Sequence, residues 1–198
     1  MSDEEAGVDA PIETTSALPA PAPRDTSEPI LQALADGARG RAAALLVDEH
    51  ATAIGRACMA LLGSRSEAED VLQETLMVAL DGLASFRGDG SLRAWLLSVA
   101  RRRCAQRLEA RAREREVKQS LAPPQAGASA ERLSMAARAR RLLAEIRPTE
   151  REALVLRFAA GLSYREVGHA CGIDEATARK RASRGLARLR CLLGEEKS

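Results

Sequence analysis

Five side chains suited to binding phosphate recur at helical spacing in the last quarter of the chain. At about 100° per residue, one face of the segment after Gly172 carries a threonine and four cations: Thr177, Lys180, Arg181, Arg184 and Arg188. A stripe of smaller apolar residues lies about 110° away and comprises Ala178, Ala182, Gly185 and Leu189. The cationic face suits a polyanion, and the small-residue face suits a neighbouring helix.

The residues before this helix indicate how it is positioned. Ser163 can cap a first short helix, and Glu166, three residues later, completes a capping box. Gly172 supplies a tight turn, and Asp174 can cap the second helix. Helix, glycine turn and basic helix in this order predict a helix-turn-helix whose second helix enters the DNA major groove.

Charge is distributed unevenly along the chain, although the net charge is only +2. Residues 101–118 hold eight bases against three acids, and residues 174–190 hold six bases against two acids. Two basic segments far apart in sequence indicate a polyanion that is touched at two places. Residues 1–36 hold eight acids and one arginine. The predicted acidic tail, residues 1–27, either shields the basic helices transiently or only aids solubility.

Composition predicts an all-α fold. Aromatic residues make up 2% of the 198 residues, and no run of alternating β-branched residues indicates a strand. We expect two small helical domains, each with a small core, joined by a flexible linker. The predicted parts are a disordered acidic tail at 1–27, a first block at 28–115, a linker at 116–130 and a second block at 131–196. Within the first block, Gly63 ends one helix, and Ser66 with Glu69 forms a capping box for the next.

Several functional classes are disfavoured. The N-terminus lacks a basic-then-apolar signal and no apolar run reaches 18 residues, which favours the cytoplasm. The four cysteines lack metal-ligand spacing. We expect Cys58 and Cys104 to pack in the core, and a redox or metal-sensing role stays open. No nucleotide loop, nucleophile–base pattern or metal cluster is recognisable, so we expect neither a cofactor nor an enzymatic activity.

Three segments carry a resemblance to a known family. They are SEAEDVLQETLMVAL, LASFRGDGSLRAWLLSVARRRCAQRL and RPTEREALVLRFAAGLSYREVGHACGIDEATARKRASRGLARLR. In this order, and with this linker, they resemble the extracytoplasmic-function sigma factors of bacterial RNA polymerase over residues 40–115 and 135–193. The resemblance implies a first domain that binds the polymerase clamp and the −10 element, and a second domain that reads the −35 element. It also implies core RNA polymerase, promoter DNA and an anti-sigma factor as partners, without membrane insertion.

The same resemblance assigns site residues. Core-polymerase binding falls on one helix face, formed by Glu69, Asp70, Gln73 and Glu74. Binding of the −10 element falls on a base-capturing loop and the following helix: Phe86, Arg87, Gly88, Asp89, Ser91, Arg101, Arg102, Arg103 and Arg107. Binding of the −35 element falls on the basic helix: Thr177, Arg179, Lys180, Arg181, Arg184 and Arg188. Trp95 lies on an apolar stripe, so we expect it to pack in the core.

Alternatives to a promoter-specificity subunit lead to different expectations. A sigma-like mimic that sequesters an anti-sigma factor would lose the cations of its DNA-reading helices. A conventional helix-turn-helix regulator would carry a ligand or phosphoacceptor domain with strands. A nuclease or recombinase would need clustered acids for metal ions. The family usually places Val and Leu at the positions of Ala178 and Ala182, which leaves open whether the two helices of the motif pack more closely or more loosely.

Overall fold

The described part of the protein is helical throughout. The computed structural model describes residues 27–83, 91–121 and 135–195, and these ranges contain eight α-helices, one π-helical turn and no strand. The helices of the first block are α1 (Ser27–Ala35), α2 (Arg39–Leu62), α3 (Arg65–Gly82) and α4 (Leu92–Leu121). Those of the second block are α5 (Met135–Ala144), α6 (Pro148–Leu154), the π-helical turn (Val155–Ala159), α7 (Tyr164–Cys171) and α8 (Glu175–Glu195). The prediction of an all-α fold is confirmed.

In the first block, the predicted helix end at Gly63 is confirmed, but the predicted cap at Ser66 is wrong. Gly63 ends α2 in the left-handed conformation, at φ 72°, and its N–H donates to Met59 O at 3.0 Å. The next helix begins at Arg65 with Ser64 in the capping position, so Ser66 lies inside α3 and cannot cap it. Glu69 instead accepts a hydrogen bond from Arg65 Nε at 2.8 Å, one turn earlier on the same helix.

The first block is a bundle in which α2 is the central helix. It packs against α1, α3 and α4, and its buried residues include Leu46, Ile54 and Cys58. Thr75 is the one polar residue of α3 that is buried, and its hydroxyl donates to Val71 O at 2.7 Å, which satisfies it inside the core. Trp95 packs partly buried against this core, as predicted.

The two block boundaries differ from those predicted. Ser27 already belongs to α1, and α4 continues to Leu121, six residues into the segment that we assigned to the linker. Residues 109–117 are mostly good helix formers with charges of both signs, which explains the extension. The helix ends two residues before Pro123-Pro124, where proline removes an amide donor and restricts the preceding residue.

The second block is built around the pairing of α6 and α7 with α8. Pro148 is the first residue of α6, a position where its missing N–H costs nothing. The chain then widens into the π-helical turn, in which Ala160 N donates to Val155 O at 3.0 Å. This turn leaves Phe158 exposed on the surface and Val155 and Leu156 buried.

The two blocks share a core. A continuous cluster of buried side chains includes Leu96 and Leu97 from the first block and Leu156 and Val167 from the second. Contacts between the blocks join α4 to α7, and α2 to α5 and the π-helical turn. We had expected one separate small core per block. Among the described helices, none is both long and apolar enough to cross a membrane.

Candidate nucleic-acid interface

The helix-turn-helix forms as the capping residues predict. Ser163 Oγ accepts from Glu166 N at 3.2 Å, and Ser163 N donates to Glu166 Oε2 at 2.8 Å, so both halves of the capping box are present. Gly172 turns the chain at φ 67°, in the left-handed region. Asp174 then caps α8 by accepting from Thr177 N at 2.7 Å. Hydrogen bonds from the Thr177 side chain and backbone lower the pKa of Asp174.

Two glycines permit close approach within this domain. A Cβ atom added at Gly168 would lie 2.7 Å from Ile173 O, so the turn crosses directly over α7. One added at Gly185 would lie 3.1 Å from Glu150 O, where α8 meets α6. Ala178 and Ala182 are buried on the same face of α8. The small-residue stripe is therefore the face of α8 that packs inward, and at Gly185 it meets α6.

The predicted cations of α8 lie at or near the surface. Arg179, Lys180, Arg184 and Arg188 are exposed, and Thr177 and Arg181 are half-buried. Arg179 Nη2 bonds Glu175 Oε1 at 2.7 Å, one turn earlier. The other cations keep a free approach for phosphate along one side of the helix.

One aromatic ring orders two arginines beside α8. The guanidinium carbon of Arg179 lies 5.3 Å from the centroid of the Tyr164 ring, and that of Arg157 lies 5.0 Å from it. Both distances are in the range of cation–π attraction. Arg157 also donates from Nη1 to Leu162 O at 3.0 Å. Neither Tyr164 nor Arg157 is among the predicted site residues; the available signal was an aromatic residue in a basic motif of a chain with few aromatics.

The arginines of α4 point in several directions. Arg102 is exposed and bonds Ser98 O, one turn earlier, at 3.2 Å. Arg103 and Arg107 each bond Glu74 of α3 at 2.6 Å. Arg101 reaches the second block, where Nη1 meets Glu152 Oε2 at 3.2 Å and Nε donates to Ala170 O at 3.2 Å. Among the predicted −10 arginines within the described residues, Arg102 is therefore the most open to solvent.

Two further contacts join the start of α4 to the second block. The Ser91 hydroxyl donates to Glu166 Oε1, and Arg93 Nη2 donates to Ala160 O. Burial alone raises the pKa of Glu166, but hydrogen bonds from Ser91 and Ser163 outweigh it and leave the pKa below its ordinary value. The predicted −10 residues Phe86, Arg87, Gly88 and Asp89 lie outside the described residues.

The predicted polymerase-facing side chains lie on one face of α3. Glu69, Asp70 and Gln73 are exposed, whereas Glu74 is half-buried between Arg103 and Arg107. The structure thus brings a predicted polymerase residue into contact with two predicted DNA residues. Met77, 67% exposed, continues this face one turn further, and its apolar side chain was not among the predicted site residues.

The cysteines of the first block pack as small apolar side chains. Cys58 and Cys104 are both fully buried. A hydrogen bond to Cys58, together with burial, raises the pKa of Cys104, which leaves the thiol protonated and unreactive. Within the described ranges, no group of three or more histidine, cysteine or acidic side chains is placed to hold a metal ion.

Comparison with known proteins identifies the architecture. Sigma-70 region 2 matches residues 46–114, and Sigma-70, region 4 matches residues 136–189. The ECF RNA polymerase sigma factor EcfG of Rhodopseudomonas palustris (strain TIE-1) is 33% identical over 141 residues, which cover 68% of this chain and 76% of that protein. The chain belongs to the ECF sigma factors. As a sigma factor, it binds core RNA polymerase and directs promoter-specific initiation of transcription at −35 and −10 elements.

Solved structures resemble this sigma factor over most of its length. The sigma factor RpoE of Bartonella quintana, in complex with the anti-sigma factor NepR, matches with a TM-score of 0.60 and 29% identity, over 76% of this chain and 93% of that one. CnrH, in complex with the cytosolic domain of CnrY, matches with a TM-score of 0.64 and 25% identity, over 85% and 98%. Both structures share the helical fold described above.

Proposed function

We propose that α8 of this sigma factor reads the −35 element. The support is its capped start, its exposed cations and its placement after a tight turn. Its first turns carry Thr177, Arg179, Lys180 and Arg181, where a recognition helix contacts base edges. Arg184 and Arg188 lie further along and bind phosphates, which adds affinity and salt dependence without sequence preference.

We propose that α4 and the segment before it bind the −10 element. Opening a promoter requires that bases be extruded and held, and residues 86–91 precede a helix rich in arginine. Arg102 is solvent-exposed and can reach a DNA strand directly. Ser91, Arg101, Arg103 and Arg107 have protein partners and must exchange these for DNA.

We propose that α3 docks on core polymerase through Glu69, Asp70, Gln73 and Glu74. The observation that carries the proposal is the exposed row of Glu69, Asp70 and Gln73 on a helix beside the DNA-binding helix. An acidic face suits a basic helical partner and accelerates encounter. Catalysis then belongs to the polymerase, and the sigma factor contributes binding alone, in the cytoplasm where polymerase and promoters meet.

We also propose an anti-sigma factor as a partner. The similarity to RpoE of Bartonella quintana, whose structure contains the anti-sigma factor NepR, supports this. We propose that the first block binds polymerase and the −10 element, and that the second block, which follows the linker, binds the −35 element.

In vitro transcription tests the function directly. Core polymerase is mixed with this protein and a library of genomic promoter fragments, and the transcripts are sequenced. We expect transcripts from a subset of fragments with shared −35 and −10 motifs. A mimic that only sequesters an anti-sigma factor would yield none.

Reversing one charge tests the polymerase face. Asp70→Lys should weaken assembly with core polymerase about tenfold or more, because a like charge set against a basic partner costs at least ~1.4 kcal/mol. Asp48→Lys, the same change at an exposed site on α2, is the matched control. Co-purification with core polymerase measures both variants. Equal recovery of the two would remove α3 from the interface.

A further inference from the structure

A shallow groove lies between the start of α6 and the second half of α8. We call it the arginine groove, and its lining consists of Arg147, Glu150, Arg184, Ala187, Arg188 and Cys191. Arg147 comes from the joint between α5 and α6, whereas Arg184 and Arg188 lie one turn apart on α8. The groove has a volume of about 500 Å³, many times the ~30 Å³ share of one water molecule. It can therefore admit a segment of a sugar–phosphate chain.

One missing side chain allows the two elements of the groove to meet. Gly185 lies between the two arginines of α8, and a Cβ atom added there would be 3.1 Å from Glu150 O. The start of α6 therefore approaches the backbone of α8 closely at this point. Arg147 is three residues before Glu150, so the approach brings its side chain to the same groove as the arginines of α8.

The charges of the arginine groove are unbalanced. Its one acid is Glu150, whose Oε1 lies 3.9 Å from Arg147 Nη1, too far for a hydrogen bond. Among the described residues, no acid lies within 4 Å of the guanidinium group of Arg184 or Arg188. Three cations against one carboxylate leave an excess of two positive charges, which attracts an anion into the groove.

The arginine groove continues the surface that we propose for the −35 element. Lys180, Arg184 and Arg188 follow one another at intervals of one turn along α8, and all three are exposed. A duplex whose bases meet the first turns of α8 brings its phosphate backbone to the same helix. Duplex DNA has a high density of negative charge, and the guanidinium fork suits phosphate oxygens. The backbone of the −35 duplex is therefore the occupant that fits this groove.

We propose that the arginine groove binds the phosphate backbone of the −35 duplex, and that Arg147 is a further DNA contact outside the helix-turn-helix. This inference rests on the proposed −35 role of α8. The contact from Arg147 fixes the duplex against α6 as well as α8, and it carries no sequence preference because it reads phosphate alone.

The salt dependence of DNA binding tests the contact from Arg147. Fluorescence anisotropy measures the affinity of the full chain for a −35 duplex and for a shuffled duplex of the same composition, between about 50 and 200 mM salt. Arg147→Gln should weaken binding to both duplexes by a similar factor, about three- to tenfold, and should lower the slope of log affinity against log salt by about one. The Arg147 side chain is 66% exposed, so the variant should fold.

A matched variant separates this contact from net charge. Arg41→Gln removes the same charge from an exposed position on α2, in the first block. Its affinity should stay within about twofold of wild type, and its salt slope should not change. An unchanged slope for Arg147→Gln, or an equal effect of Arg41→Gln, would overturn the proposal.

Cys191 supplies a readout that does not depend on affinity. It is an exposed free cysteine in the lining of the arginine groove, so DNA in the groove should shield its thiol. Alkylation by iodoacetamide, followed by mass spectrometry, measures this shielding. We expect a saturating −35 duplex to slow alkylation of Cys191 more than oligoglutamate of the same total charge. Equal or greater protection by oligoglutamate would indicate an acidic protein segment as the occupant, and the proposal would be wrong.

The two levels of inference fail separately. If the wild-type chain shows no preference for the −35 duplex over the shuffled one, the proposed −35 role of α8 is wrong, and the present inference fails with it. If the wild-type chain prefers the −35 duplex and Arg147→Gln behaves like Arg41→Gln, the −35 role stands and the contact from Arg147 is wrong.

Discussion

Two glutamates in this sigma factor each form hydrogen bonds with two different partners. Glu166 completes the capping box of α7 and also accepts the Ser91 hydroxyl from the other block. Glu74 lies on the proposed polymerase face and bonds Arg103 and Arg107 of the proposed DNA helix. Polymerase that attracts Glu74 would therefore release two cations for DNA, which links the two binding events through one carboxylate.

Tyr164 illustrates how one ring can prepare a DNA contact. Its ring attracts the guanidinium of Arg179, which Glu175 also holds. We expect Tyr164→Leu to weaken binding to a −35 duplex about two- to fivefold, the equivalent of roughly 0.5–1 kcal/mol for an exposed cation–π contact. Tyr164→Phe keeps the ring and should bind like wild type. Fluorescence anisotropy with a duplex recovered from the promoter library measures both. Equal weakening by Phe would point to the hydroxyl instead.

At the scale of elements, local signals predicted the second block well. Ser163, Glu166, Gly172 and Asp174 act within four residues of themselves, so their roles follow from sequence spacing alone. The partners of Glu74 and Glu166 were not predictable in this way. Arg103 lies 29 residues from Glu74, and Ser91 lies 75 residues from Glu166, so these pairs depend on how helices cross.

The crossing of α7 by the turn depends on one missing side chain. Gly168→Ala would place a Cβ atom 2.7 Å from Ile173 O, and we expect it to lower the free energy of unfolding by about 1–3 kcal/mol. Gly194→Ala, in α8 with nothing within 4 Å of its added Cβ, should be neutral or stabilising by up to about 1 kcal/mol. Urea denaturation measures both. Similar stabilities for the two variants would show that the crossing relaxes freely.

At the scale of the whole molecule, the division into two blocks was predicted but their shared core was not. The composition of the chain and the position of the predicted linker were enough to locate both blocks. Buried residues such as Leu156 and Leu97 looked like members of separate cores, because nothing in their local pattern says which helix they meet. The helical extension to Leu121 was also missed, since charged helix formers look like a polar linker when judged by polarity alone.

A shared core should make the chain unfold as one unit. We expect a single calorimetric transition for the wild-type protein, because separating the blocks exposes buried apolar surface in both. Two well-separated transitions in the wild type would indicate independent domains.

Trp95 gives this protein a built-in optical probe. It is the only tryptophan in the chain, and its ring lies 3.2 Å from the position a Cβ would take at Gly82, the last residue of α3. The segment proposed to capture a −10 base starts at Phe86, shortly after Gly82 in the sequence. With excitation at a wavelength that Tyr164 does not absorb, intrinsic emission therefore comes from a single ring at the end of α3, and it can report on this end of the helix in real time without any attached dye.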